Sequence, residues 1–137
     1  MAKSFQFEIV TPEHIVLSEE IDSLVVLAEE GYLGVLAGHA PMLCTVRPGD
    51  VTLRKSGQTR HYVASEGFFE ILPKKATLLV ESAEDAQEID VARAEKSRDR
   101  ARTRLADTRK EIDKDRARTA LARAEARLRA AQKFRRR

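Results

Sequence analysis

The groups in this chain with the capacity for chemistry are mostly guanidiniums, spaced to hold anions rather than to make or break bonds. Arg123 and Arg127 stand four residues apart. On a helix that is one turn, so the two forks together can clamp a phosphate or an acidic segment. Arg98, Arg100, Arg102 and Arg104 occupy alternate positions, and at about 100° per residue they divide into two i,i+4 pairs on different faces. Those pairs serve equally as a solvated surface, with Glu95 and Asp99 close by, or as contacts for an anionic partner. His14, His39 and His61 form no metal-ligand spacing with one another or with Cys44. Cys44 is alone in the apolar run of residues 42–46, with no base near it in sequence, which reads as a buried structural thiol in a reducing compartment. No nucleophile motif, phosphate-cradling glycine loop or carboxylate pair stands out. The chain reads as non-catalytic, with no metal site and no required cofactor.

A second group of residues is suited to recognition. Glu29-Glu30 leads into Gly31-Tyr32-Leu33-Gly34-Val35-Leu36-Ala37-Gly38-His39-Ala40-Pro41. Its three glycines are turn punctuation and nothing more, or they shape an exposed loop whose polar and aromatic tips meet a partner.

The elements that must carry these residues divide at a composition border. All six glycines and all four prolines lie at or before Pro73, and the remaining 64 residues contain neither. Charge follows the same border: residues 1–87 hold 7 Lys and Arg against 13 Asp and Glu, whereas residues 88–137 hold 18 against 9. An acidic body of net −6 therefore carries a basic arm of net +9, and the overall +3 hides both. The N-terminus lacks an apolar signal core, and no stretch approaches the length of a membrane span.

In the first part, Phe5, Phe7 and Ile9 recur with period two, and apolar or β-branched runs follow at residues 14–17, 24–27, 33–36, 42–46, 51–55, 60–64, 68–72 and 77–80. Such runs are half-buried strands. Ser56-Gly57 marks a hairpin, and Gly49, Gly67 and Pro73 mark further turns. Eight or nine short strands without intervening helices predict an antiparallel β-sandwich over residues 1–86, with a small barrel as the structural competitor.

In the second part, residues 87–137, the sequence repeats itself. Glu88-Ile89-Asp90-Val91-Ala92-Arg93-Ala94 returns 23 residues later as Glu111-Ile112-Asp113-Lys114-Asp115-Arg116-Ala117. Each copy starts a helix: Asp90 and Asp113 cap the first turn, while Ile89 and Ile112 are placed to staple onto Ala94 and Ala117. Helix one runs to about Ala106 and helix two from Asp113 to near Gln132, with residues 107–110 as the turn of an antiparallel hairpin. The overall class is α+β. The seam offers Ala94, Ala101 and Leu105 to Ala117, Ala120, Leu121, Ala124, Leu128 and Ala131. A buried methyl contributes only about 0.8 kcal/mol, so the hairpin is weakly held and suited to switching.

These features together resemble a known family. The Gly31 to Pro41 segment with its Gly38-His39-Ala40-Pro41 signature, Gly67-Phe68-Phe69-Glu70-Ile71, and Ile89-Asp90-Val91-Ala92-Arg93-Ala94 opening a helical hairpin are similar to the ε subunits of bacterial F-type ATP synthases. The likeness spans nearly the whole chain. Ala37 departs from it, since family members often carry Pro before the Gly-His pair.

The resemblance implies a regulatory subunit of the central stalk, at the cytoplasmic face of the bacterial membrane and reaching that membrane only through its complex. The sandwich would bind the γ subunit and rest on the c-ring, with contacts at Glu30, Tyr32, Gly38, His39, Ala40 and Met42. The hairpin would lie against the sandwich when compact, and when extended would rise along γ into the α/β head and hinder hydrolysis. ATP is implied as a regulatory ligand of the compact form, at Glu84, Ile89, Asp90, Arg93, Ala94, Arg123 and Arg127. The arginines would take the phosphates and the Ile89 to Ala94 region the nucleoside. The same Asp90 serves equally as a helix cap, and the same arginines as surface charge.

Two other classes fit parts of the sequence. An Arg-rich hairpin on a small β domain is electrostatically suited to nucleic acid, but aromatics are 5% of residues and the tail holds only Phe134, so base stacking is poorly supplied. A small enzyme is the weaker alternative, for want of a catalytic constellation.

Overall fold

The computed structural model describes residues 3–136. Among these, nine strands precede two helices: β1 (Phe5–Val10), β2 (Ile15–Ile21), β3 (Ser23–Ala28), β4 (Gly31–Leu36), β5 (Met42–Lys55), β6 (Gln58–Ala64), β7 (Gly67–Ile71), β8 (Lys75–Val80), β9 (Ala83–Asp85), α1 (Val91–Ala106) and α2 (Lys114–Phe134). One layer of the sandwich runs β2-β1-β8-β7-β5 and the other β4-β3-β5-β6-β9. Every pairing is antiparallel except that of β1 with β8.

The layers share β5. Its first part, Met42 to Val46, pairs with β7, and from Gly49 to Lys55 it pairs with β6. The two strands expected at residues 42–46 and 51–55 are thus one strand that turns a corner. Pro48, without an N–H to offer a ladder, sits where the partner changes. Gly49 is not a chain reversal: a Cβ there would stand 2.6 Å from Cδ2 of Leu27, so glycine permits close packing at the bend. Gly67 opens β7 for a similar reason, its would-be Cβ lying 2.0 Å from the carbonyl of Leu79.

Alternation does what the sequence suggests. Phe5, Phe7 and Ile9 face inward, and they meet Leu24, Leu53, Phe69, Ile71 and Leu78 in the core between the layers. Cys44 packs against this core but is half-buried, on the first arm of β5 where only Val46 is fully covered.

Both helix starts form as expected. Asp90 accepts from the N–H of Arg93 at 3.0 Å, and Asp113 from that of Arg116 at 3.1 Å. Ile89 does not staple forward onto Ala94. It is 1% exposed and packs with Val63, Ala86, Ala126, Ala130 and Ala131, because a single 3₁₀ turn at Ala86–Glu88 aims it at α2 and the sandwich. The hairpin connection is longer than residues 107–110 and extends to the Asp113 cap. Lys114 closes it from the far side, its Nζ donating to the carbonyls of Arg104 and Leu105 at 2.9 Å each and to that of Asp107. A cation thereby satisfies the free carbonyls at the end of α1. No helix among the described residues is long and apolar enough to cross a membrane.

Candidate functional site

The hairpin lies against the outer side of the β6 layer, and the helical residues singled out by sequence gather where α1 leaves the sandwich. Ser82, Glu84, Asp90, Arg93, Ala94 and Arg127 line one cleft of about 320 Å³. Three elements meet there: the end of the sandwich, the first turn of α1 and the second half of α2. The cap that starts α1 fixes the backbone of Arg93 at the cleft, which Arg127 of α2 also lines. The predicted nucleotide residues are therefore brought together in part.

Two of them stand apart. Ile89 is walled into the small apolar cluster and offers no surface to a nucleoside. Arg123 is engaged elsewhere, its Nε donating to Oε1 of Glu66 at 2.8 Å and its second fork nitrogen to Oε2. Arg127 is also occupied, with Nε on Oε1 of Glu84 at 2.9 Å and a terminal nitrogen on Oγ of Ser82 at 3.0 Å. Carboxylates of the sandwich thus hold both α2 arginines that sequence reasoning assigned to phosphate. The Arg123 guanidinium keeps the Glu66 carboxyl below its ordinary range, and the carboxylate in turn raises the arginine. Glu66 and Ser82 went unrecognised in the sequence, because Glu66 and Arg123 are 57 residues apart and no local pattern joins them.

The end of α2 makes a further contact that no motif announced. Phe134 stacks on His61 of β6, with ring centroids 3.7 Å apart and planes 8° from parallel.

The recognition segment is an edge strand rather than a loop. β4 carries its middle, with Glu30 and Tyr32 at one end and Gly38, His39, Ala40 and Met42 beyond the other. The phenol of Tyr32 donates to Oδ1 of Asp50 at 2.9 Å, which raises its pKa, yet the ring is 60% exposed. Gly38, at φ 83°, turns the chain so that its N–H reaches the carbonyl of Pro73. Nδ1 of His39 lies 2.8 Å from the carbonyl of Ala40. Leu36, Met42, Leu43 and Leu72 are exposed around this turn, and Phe68 and Leu79 form an exposed cross-strand pair on β7 and β8. Sequence reasoning named only Met42 of these as a contact, since a strand residue facing outward looks like any other apolar strand residue.

Residues 4–86 match the family described as ATP synthase, Delta/Epsilon chain, beta-sandwich domain, and residues 87–132 match its long alpha-helix domain. The chain belongs to the ATP synthase delta/epsilon chain family. It is 45% identical over 129 residues to the ATP synthase epsilon chain of Nitratidesulfovibrio vulgaris strain DP4, covering 94% of this chain and 96% of that one. To the epsilon chain of Syntrophobacter fumaroxidans it is 46% identical over 134 residues, or 97% and 99% of the two chains. In fold it is similar to a chain of the Euglena gracilis mitochondrial ATP synthase, with a TM-score of 0.80 at 23% identity over 94% of this chain and 81% of that one. A chain of the Tetrahymena thermophila central stalk and c-ring gives 0.62 at 13% identity, over 94% and 97%. As an epsilon-type chain the protein is a non-catalytic subunit of an ATP synthase.

Proposed function

We propose that this epsilon-type chain works in the central stalk, with its two regions, 1–86 and 87–137, as anchor and switch. The sandwich binds γ and rests on the c-ring through the two ends of β4 and the exposed apolar side chains beside them, and so reaches the cytoplasmic face of the membrane only through the complex. The hairpin is the moving part. It lies down on the sandwich as seen here, and when raised along γ into the α/β head it hinders rotation in the hydrolysis direction. The observation that carries this reading is the make-up of the docked face: mostly alanines, with Val63, Ile89, Val91 and Phe134 as its larger apolar side chains, and two ion pairs about one third exposed. Such a face separates without exposing a large core, and its basic residues can exchange carboxylates of the sandwich for acidic groups elsewhere.

ATP favours the lowered state in this reading. Arg93 and Arg127 both line the cleft, and only the closed hairpin brings them there. Arg123 joins them when phosphate displaces Glu66. A ligand that binds one state alone stabilises it by RT ln(1 + [L]/Kd), about 2.7 kcal/mol at a hundredfold excess. Two measurements test the proposal. ATP synthase assembled with a subunit ending at residue 87 should hydrolyse ATP faster than the intact complex; an unchanged rate would rule out the switch. Titration of the isolated chain with ATP should give saturable binding that Arg93→Ala and Arg127→Ala weaken. Binding absent at millimolar nucleotide would remove the sensor and leave these arginines as docking contacts.

A further inference from the structure

The final turn of α2 is fastened to the body by contacts that neither the ion pairs nor the candidate nucleotide cleft includes. Gln87, in the 3₁₀ turn, uses both ends of its amide: Nε2 donates to the carbonyl of Phe134 at 2.6 Å, and Oε1 accepts from the N–H of Arg136 at 2.8 Å. A guanidinium nitrogen of Arg135 donates to the carbonyl of Ile89 at 3.2 Å. Between these anchors the Phe134 ring covers the imidazole of His61, whose Nδ1 stands 3.0 Å from Oγ1 of Thr52.

We infer that residues 134–136 and the notch formed by His61 and Gln87 are a proton-sensitive clasp, in which neutral His61 accepts the Phe134 ring and protonated His61 releases it. This rests on the moving hairpin proposed above. The imidazole is covered by a hydrocarbon face, so a charge on it loses hydration when the clasp closes. Asp50 from β5 and Asp85 from β9 favour the charged form, while Lys133 from α2, its Nζ 5.4 Å from the Phe134 centroid, opposes it. Burial is the largest of these influences and lowers the His61 pKa from its ordinary 6.5. A depressed value in the closed state means that the clasp is fully effective above the ordinary value. Its contribution is lost as pH falls from there through the depressed one. Acidification thus favours the raised hairpin.

The test uses the full chain with dyes on Thr59→Cys and Gln132→Cys in a Cys44→Ser background, so that energy transfer reports the α2 end against β6. In the otherwise native chain transfer should fall reversibly as pH drops from about 7.5 to about 5.5, the range in which an imidazole charges. His61→Phe, which keeps a ring to stack on but cannot titrate, should hold transfer high throughout; Phe134→Ala should lower it at both ends. NMR titration should show the His61 ring charging below its ordinary 6.5 and moving back towards it in Phe134→Ala. A pH-flat native chain beside an open Phe134→Ala variant overturns the proton control alone, as does a His61→Phe chain that opens with acid. Transfer that stays high in every variant overturns the clasp and the moving hairpin together.

Discussion

The two halves of this protein bury different kinds of side chain, and the difference is what the proposed anchor and switch would need. Between the sandwich layers Phe7, Ile9, Leu24, Leu53, Phe69, Ile71 and Leu78 are all less than 2% exposed. Each such side chain contributes about 1.5–3 kcal/mol on burial. Within α1 and α2 the buried residues are Ala94, Ala101, Ala117, Ala124, Ala126, Ala130 and Ala131, each with a single methyl to offer. Helix propensity compensates in part, since alanine and arginine are strong helix formers. It stabilises the helices as helices without tying them to anything. Beyond the small cluster around Ile89, polar contacts supply the ties: Arg123 to Glu66, Arg127 to Glu84, and Gln87 to the backbone of Phe134 and Arg136. A body held by hydrocarbon and an arm held by exchangeable charges are what a fixed anchor with a movable lever requires.

The contrast is sharpest in the core. Phe69→Ala should cost about 3–5 kcal/mol in urea unfolding of the whole chain, the usual cost of emptying a buried aromatic site; a loss under about 1 kcal/mol would show that the sandwich is as loosely packed as the hairpin. Ala130→Leu probes the other side. Its extra carbons have no room against Val63 and Ile89, so about 1–3 kcal/mol of overpacking should lift α2 while leaving the sandwich intact. Faster tryptic cleavage of the arm with unchanged unfolding of the body is the expected pattern.

Glu66→Gln should act more gently. The pair with Arg123 is about one third exposed on both sides, so its loss is worth at most about 1 kcal/mol and shrinks with salt. Because Arg123 depresses the Glu66 pKa below its ordinary 4.5, the pair's contribution is present above that value. It is lost as pH falls through the depressed one. Acid opening below pH 4.5 in the native chain should accordingly be blunted in Glu66→Gln, separately from the His61 step at higher pH. Removal of residues 88–137 should have the smallest effect on the sandwich itself, since every core strand precedes that point. A melting temperature within a few degrees of the full chain's would support the division, and an insoluble product would break it.

Much of the fold was legible because it depends on local rules. Period-two burial announced β1, turn chemistry announced the Ser56-Gly57 hairpin, where both residues have positive φ, and the repeated Ile-Asp element announced both helix caps. What failed locally failed for tertiary reasons. Residues 42–55 look like two strands with a turn at Gly49, and only the closeness of Leu27 reveals why glycine is needed within one bent strand. The candidate site was half legible. Asp90, Arg93, Ala94, Glu84 and Arg127 do converge, whereas Ile89 is turned away by the 3₁₀ turn before it and Arg123 is taken by Glu66.

By itself the sequence determined the division into acidic β body and basic helical arm, because composition, charge and periodicity act over a few residues at a time. The tertiary structure decided which charges meet, which face of α2 is covered, and that Phe134 lies on His61. Those pairings join residues far apart in the chain, where side-chain identity constrains what can pair but only the packed backbone sets the distance.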